Sequence, residues 1–331
     1  MHILVTGGAG YIGSVMTKTL LKDGHTVVVA DSLERGRREA IDKRAEFIKG
    51  DLKEQAFVES IFTQHQFDAV MHFAAYISVG ESMQEPASYF RNNISVVLSV
   101  LEAMRKNNVN RFIFSSTAAV YGNPRHTPIM ETHVTDPTSV YGESKLAAER
   151  IIQWYNKIYG LRYMILRYFN ASGAMLDGSL GEQHVSESHI IPNAILAILQ
   201  NNPFALYGNK YPTPDGTCIR DYIHVLDLTS SHLLALHKIT QQEGGYTYNV
   251  GTGTGYSNKE VIDMVSRVSK KEILVSQKEP RPGDPGELVA DATKIKKELG
   301  FIPKYSDLKT IVESAWKWHT KQAEKTKSLL Q

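Results

Sequence analysis

A doubly wound parallel β-sheet covered by helices on both faces, with a smaller mixed α/β lobe attached, is the fold class this sequence predicts. Three features carry the prediction. Short apolar runs recur without polar alternation, as strands buried on both faces require. Helical stretches separate them in a βαβ rhythm. After about residue 170 that rhythm breaks into loop-rich sequence.

Ile3-Leu4-Val5, Val27-Val28-Val29-Ala30, Ala69-Val70-Met71, Phe112-Ile113-Phe114 and Tyr163-Met164-Ile165-Leu166 read as buried strands. A helix over 11–22 is expected to end at Gly24, since glycine takes the left-handed terminal conformation without a Cβ penalty. A second long helix is expected over 86–107. Then come loops at 173–188 and 208–217, a helix near 225–240, and a strand at Tyr246-Thr247-Tyr248-Asn249-Val250 followed by Gly251 and Gly253. A Pro/Gly-rich stretch occupies 279–286, and the lysine-rich tail 317–331 reads as a solvated helix end. The expected division is discontinuous: 1–170 with 223–252 as a nucleotide-binding domain, and 171–222 with 253–331 as the second lobe.

With 331 residues, 42% hydrophobic and 22% charged, the chain can bury a core sufficient for about two domains. Its 37 basic and 35 acidic side chains leave a formal charge of +2. No bulk field then drives binding to nucleic acid or to a membrane surface. Cys218 is the one cysteine, so an intrachain disulfide framework is excluded. No apolar run approaches the ~18 residues of a membrane span, and no signal-like segment precedes the first strand. A cytoplasmic location is expected.

Gly7-Gly8-Ala9-Gly10-Tyr11-Ile12-Gly13 follows a strand directly and opens a helix. Glycines at 8, 10 and 13, or at 7, 10 and 13, allow a tight turn, close approach of backbone to pyrophosphate, and packing of helix on strand. The helix N–H groups and macrodipole favour the anion. Asp31 ends the second strand, where a carboxylate would hold a ribose 2′-hydroxyl and repel a 2′-phosphate. This Rossmann-type arrangement points to NAD rather than NADP, although Arg35, Arg37 and Arg38 lie close by in sequence. Gly50-Asp51-Leu52 and Phe73-Ala74-Ala75 follow the third and fourth strands, where small residues would let a cofactor lie against backbone.

Tyr141 and Lys145 stand at i and i+4, on one face of a helix. A tyrosine with its ordinary pKa near 10 is a poor base. A neighbouring ammonium and an oxidised nicotinamide are expected to lower it by about 3 units, roughly 4 kcal/mol, in a dry pocket. Upstream, Ser115-Ser116-Thr117 ends a buried strand and offers hydroxyls to a substrate oxygen.

Together the glycine turn, Asp31, Ser115-Ser116-Thr117 and Tyr141/Lys145 resemble the extended short-chain dehydrogenase/reductase family. The segment Gly208-Asn209-Lys210-Tyr211-Pro212-Thr213-Pro214-Asp215-Gly216-Thr217, followed by Arg220-Asp221-Tyr222-Ile223-His224-Val225, is similar to the signature of its UDP-glucose 4-epimerase branch. Arg167-Tyr168-Phe169-Asn170 and Arg281-Pro282-Gly283-Asp284 match that branch too, and the similarity runs from residue 2 to beyond 310.

The resemblance implies an enzyme of galactose metabolism with tightly bound NAD, epimerising a UDP-hexose through a 4-keto sugar. It implies catalytic roles for Tyr141, Lys145 and Thr117, and cofactor contacts from Gly7, Gly10, Tyr11, Ile12, Gly13, Asp31, Asp51, Leu52, Phe73, Ala74, Ala75, Asn92, Ser115, Tyr141, Lys145 and Tyr168. Substrate contacts are implied at Thr117, Tyr141, Asn170, His189, Ile190, Tyr207, Arg220, Arg281 and Asp284, with the guanidiniums on diphosphate, Asp284 on ribose and Tyr207 on uracil. No metal is expected. A homodimer is implied, through the 86–107 helix and the helix bearing Tyr141, although Val96, Val97, Val100 and Leu101 read as well as core.

Several positions depart from the pattern. Thr117 stands where serine is common, Ile77 where a lysine is often found, His189 in place of an asparagine, and Leu288 where the family sets room for the 2-substituent. Epimerisation of UDP-N-acetylglucosamine, UDP-glucuronate or UDP-pentose is the nearest alternative activity. A 4,6-dehydratase would need an acid/base pair where Ala118-Ala119 stand. A non-catalytic NAD-sensing regulator is the alternative of another class.

Overall fold

The computed structural model describes residues 1–184, 187–280 and 284–329. The first half alternates as expected: β1 (His2–Thr6), α1 (Tyr11–Lys22), β2 (Thr26–Asp31), β3 (Glu46–Lys49), α2 (Gln55–Gln64), β4 (Ala69–His72), α3 (Val79–Gln84), α4 (Pro86–Lys106), β5 (Arg111–Thr117), α5 (Val140–Tyr159) and β6 (Arg162–Tyr168). Then follow β7 (Asn170–Ser172), α6 (Ile190–Gln200), β8 (Phe204–Tyr207), β9 (Ile219–His224), α7 (Val225–Gln241) and β10 (Gly245–Val250). The chain closes with β11 (Gly255–Ser257), α8 (Asn258–Ser269), β12 (Val275–Lys278), β13 (Glu287–Leu288), α9 (Thr293–Leu299) and α10 (Leu308–Leu329).

Seven strands form one parallel sheet in the order β10-β6-β5-β4-β1-β2-β3. Alternate residues of each strand feed opposite cores. Ile3, Val5, Val27 and Val29 pack with Met16 and Leu20 of α1 and Leu236 and Ile239 of α7. Leu4, Val28, Val70, Phe112 and Phe114 pack with Val58 and Ile61 of α2, Val97 and Val100 of α4, and Ala148 and Ile152 of α5. Both faces are dry, which is why the strands read as unbroken apolar runs. Val96, Val97, Val100 and Leu101 are core, each at most 2% exposed.

Between β1 and β4 the winding direction reverses, because β2 and β3 lie to one side and β5, β6 and β10 to the other. Ligands of open α/β sheets bind at such a reversal, outside the carboxyl ends of the strands. A second sheet runs β11-β9-β13 with β7 also on β9, and β12 pairs β8. Ile191, Ile195, Phe204, Val261, Val265, Ile311 and Val312 give this region its own core.

The predicted solvated tail is corrected in part. In α10, Trp318 and His319 are 3% and 6% exposed, and the indole Nε1 donates to the Glu182 carbonyl at 2.9 Å. That helix buries one face against the segment 174–182. No helix among the described residues is long and apolar enough to cross a membrane.

Candidate active site

The glycine turn sits at the reversal point. Gly7 has φ +72°, and a Cβ there would lie 2.5 Å from the Ala74 backbone nitrogen. A Cβ on Gly13 would lie 2.3 Å from the Gly7 carbonyl oxygen. Both positions therefore demand glycine, and they bring the turn after β1 against the Phe73-Ala74-Ala75 turn after β4. Gly10 caps α1 in extended conformation with no side chain closing the helix end, and its own Cβ position meets nothing nearer than 3.3 Å. This cradle fits a pyrophosphate.

Asp31 is 8% exposed and accepts the Ala9 amide on Oδ2 at 3.0 Å and the Leu33 amide on Oδ1 at 2.8 Å. Burial raises its pKa while those amides oppose the rise. Each oxygen keeps a second lone pair, so the carboxylate can still accept a ribose hydroxyl. Arg35, a cation near enough in sequence to favour a 2′-phosphate, is clamped by Glu81 through two 2.7 Å bonds and lies over the Tyr76 ring. Leu52 is buried, and Asp51 is tied to Lys53 by a 3.2 Å ion pair. Ile12 and Phe73 pack against the core beneath the turn. Tyr11 donates its phenolic proton to the Gly173 carbonyl at 2.6 Å, joining the glycine turn to the segment that follows β7. Asn92 donates to Asn93 at 3.1 Å. The sequence reading missed Asn93 itself. This 2%-exposed amide accepts from the Tyr76 N–H at 2.8 Å and donates to the Ser144 hydroxyl at 2.9 Å, pinning the turn after β4 to α5. A polar residue on the apolar stripe of 86–107 was the available signal.

Ser139 caps α5 by accepting the Gly142 amide at 3.1 Å, which fixes where the helix starts and thus where Tyr141 and Lys145 project. The Tyr141 hydroxyl hydrogen-bonds Thr117. Lys145, 2% exposed, donates from Nζ to the Ser115 carbonyl at 2.8 Å and lies 4.9 Å from the centre of the Phe114 ring. Ser115 also bonds the Tyr168 hydroxyl, which meets His232 on its far side. So Tyr141, Lys145, Thr117, Ser115 and Tyr168 converge at the carboxyl ends of β5 and β6.

The expected lowering of the Tyr141 phenol counts the nicotinamide charge; the surroundings that the protein itself supplies act the other way, burial pushing the phenol up to about 12 while the Thr117 bond opposes the rise. Burial also pulls Lys145 down to about 7. Both charged forms are penalised, which leaves the positive nicotinamide as the contribution that favours the phenolate.

On the other side, Asn170, Ala171, Ser172, Glu182, His189, Ile190 and Tyr222 line a cavity. His189 precedes α6 and contacts Glu182 through Nδ1; the Glu182 charge is the main reason its imidazole is pushed up to about 9. Glu182, His184, Glu187 and His189 bring ligand-type atoms within 4.8 Å of one another, and they are engaged as imidazole–carboxylate contacts. Tyr207 ends β8 and is 36% exposed.

Arg220 and Asp284, predicted as separate ligands, are paired to each other at 2.5 Å. Asp221 does not pair with Arg220; its carboxylate accepts the amides of Thr252, Gly253 and Ala290. Backbone donors saturate it, so the adjacent-residue ion pair does not form. Arg281 lies outside the described residues.

The chain is similar to known proteins along nearly its whole length. Residues 3–251 match the NAD dependent epimerase/dehydratase family. Over 325 residues, 98% of each chain, the protein is 44% identical to UDP-glucose 4-epimerase of Lacticaseibacillus casei. The crystal structure of UDP-glucose 4-epimerase from Brucella ovis in complex with NAD superposes with a TM-score of 0.92 at 43% identity, covering 95% of this chain and 97% of that one. The enzyme from Bifidobacterium longum, in complex with NAD+ and UDP, gives 0.92 at 37% identity over 97% and 98% of the two chains.

Proposed function

The chain belongs to the NAD dependent epimerase/dehydratase family, and from that premise we propose that it inverts C4 of a UDP-hexose, interconverting UDP-galactose and UDP-glucose through a 4-keto sugar. The observation that carries the reading is the convergence of Tyr141, Thr117 and Lys145 at the carboxyl ends of β5 and β6, on the same edge of the parallel sheet as the glycine turn after β1.

Gly7, Gly10 and Gly13 with the first turn of α1 would hold the NAD pyrophosphate, Asp31 the adenosine ribose, and Lys145 and Tyr168 the nicotinamide end. NAD, when bound, supplies the acceptor and donor of the C4 hydrogen and a positive charge beside the phenol. Tyr141 takes the proton of the 4-hydroxyl as it ionises, and Thr117 holds that oxygen and relays the proton. The lysine adds charge in proportion to its protonated fraction. In a pocket this dry the added cation acts with little screening, which is what brings a phenol near 12 into working range.

For the substrate, the cationic His189 and the N-terminus of α6 suit the diphosphate. Arg220, oriented by Asp284, brings a second cation to it, and Tyr207 offers a ring to uracil. Anchoring the nucleotide while leaving the sugar uncontacted by charged groups allows the ketone to turn and receive hydrogen on its other face. We place the division between the two regions at 1–170 with 223–252 and 171–222 with 253–331. We also infer a cytoplasmic enzyme and a homodimer, the latter from exposed apolar side chains on α4 and α5: Phe90, Leu98, Trp154 and Ile158.

The test uses protein purified without added cofactor. Its absorbance spectrum should show bound nucleotide, and UDP-galactose should convert to UDP-glucose. Protein that carries NAD and leaves the sugar unchanged would be a cofactor-binding regulator and would overturn the reading.

A further inference from the structure

Directly beneath the proposed catalytic trio lies a sealed ion pair to which the mechanism assigns no role. Glu149 and Arg167 are 1% and 6% exposed. The guanidinium grips the carboxylate with both arms, Nε at 3.0 Å and Nη2 at 2.6 Å. Desolvating two charges cancels most of their attraction, so such a pair contributes little to net stability. What it holds is more telling. Ser116, 2% exposed, donates to Glu149 Oε1 at 2.5 Å. That serine lies between Ser115, whose carbonyl accepts the Lys145 ammonium, and Thr117, whose hydroxyl meets the Tyr141 phenol. Glu149 also stands one helical turn after Lys145, on the same side of α5.

Arg167 extends the clip sideways. It lies opposite Ser116 in the β5–β6 register and donates to the Tyr121 hydroxyl at 2.9 Å. Tyr121 donates to Asn249 of β10 at 2.6 Å, and Asn249 donates to the Ile129 carbonyl at 2.8 Å. One carboxylate thereby ties α5 to three adjacent strands under the site.

We propose that Glu149, clamped by Arg167, is a positioning residue for the epimerisation. Its carboxylate fixes the strand segment that carries both anchor points and sets a negative charge one helical turn from the Lys145 ammonium. The inference rests on the roles proposed above for Tyr141, Thr117 and Lys145. The charges around Lys145 agree with it. From α5 it is faced by Tyr141 and Glu149, with Arg167 of β6 behind the latter. From β4 comes His72, neutral because burial and Lys145 push it down to about 3; from β6, Tyr168 through Ser115. Of these, Glu149 is the group that opposes the burial of Lys145.

Glu149→Gln keeps the shape and, with its oxygen at the Oε1 position, an acceptor for Ser116 and for Arg167 Nε, but removes the charge and the acceptor for Arg167 Nη2. In the NAD-loaded enzyme we expect kcat to fall roughly tenfold or more with KM for UDP-galactose within about threefold. The basic limb of the kcat–pH profile should move to lower pH, since Lys145 then loses its proton sooner. Ser116→Ala should lower kcat and leave the limb in place. Glu149→Asp, which restores the charge on a shorter arm, should return the limb to its wild-type position; a displaced limb in that variant would count against the proposal. A folded, NAD-loaded Glu149→Gln enzyme whose profile keeps the wild-type limb overturns it. Turnover persisting in Tyr141→Phe would instead overturn the underlying mechanism, so the two failures are distinguishable.

Discussion

At Tyr141 two opposing effects decide the chemistry. Burial holds the phenol near 12, and the protein's own cation, Lys145, is pulled toward 7 in the same way. Tyr141→Phe should therefore retain NAD in the absorbance spectrum and lose at least about 100-fold in kcat, the span of a positioned acid–base group. Thr117→Val should cost less, about tenfold, because the phenol remains. His189 gives a pH dependence of stability. Its pKa is raised from the ordinary 6.5 to about 9 by Glu182, so its contribution is fully present below pH 6.5 and is lost as pH rises through 9. The side chain is 42% exposed, so water screens the pair and the effect should be about 1 kcal/mol. Denaturant melts of wild type and His189→Asn should converge between pH 6.5 and 9; a constant gap would remove that ion pair from the stability balance.

Elements reach the site through their ends. The turn into α1 works only without side chains at 7 and 13, where a Cβ would meet Ala74 or the Gly7 carbonyl. Gly13→Ala should yield protein purified with little or no bound nucleotide, read by absorbance at equal yield. At the start of α5, Ser139→Ala removes the acceptor for the Gly142 amide. It should cost about 1 kcal/mol in unfolding experiments and lower kcat further by loosening the register of Tyr141. These elements were legible because their signals are local: apolar runs of a doubly covered sheet, a glycine turn, a polar cap. The roles of Asn93 and Glu149 were not, since each is a single polar side chain on a helix whose partners, Tyr76 with Ser144 and Arg167 with Ser116, come from distant sequence.

On the scale of the whole molecule, two cores meet along the β7–β9 edge. They share β9, whose Ile223 belongs to the first and Tyr222 to the second, and Tyr11 donates to the Gly173 carbonyl just after β7. The exposed faces of α4 and α5 leave Trp154 at 59% and Ile158 at 62%. Trp154→Glu should convert the inferred dimer to a monomer in sedimentation analysis while leaving bound NAD in place. Wild-type protein that is already monomeric at micromolar concentration would exclude that seam.

The parallel sheet, the glycine turn, Asp31 and the tyrosine–lysine spacing follow from the sequence alone, because periodicity, steric demand at glycine and helical i, i+4 geometry all act within a few residues. Tertiary structure decided what depends on burial and long-range pairing: that burial works against the Tyr141 phenolate, that Arg220 meets Asp284, and that Trp318 lies inside. Desolvation and partner choice are properties of the surroundings of a side chain, and those surroundings are assembled from separate segments, 64 residues apart for Arg220 and Asp284 and 136 for Trp318 and Glu182.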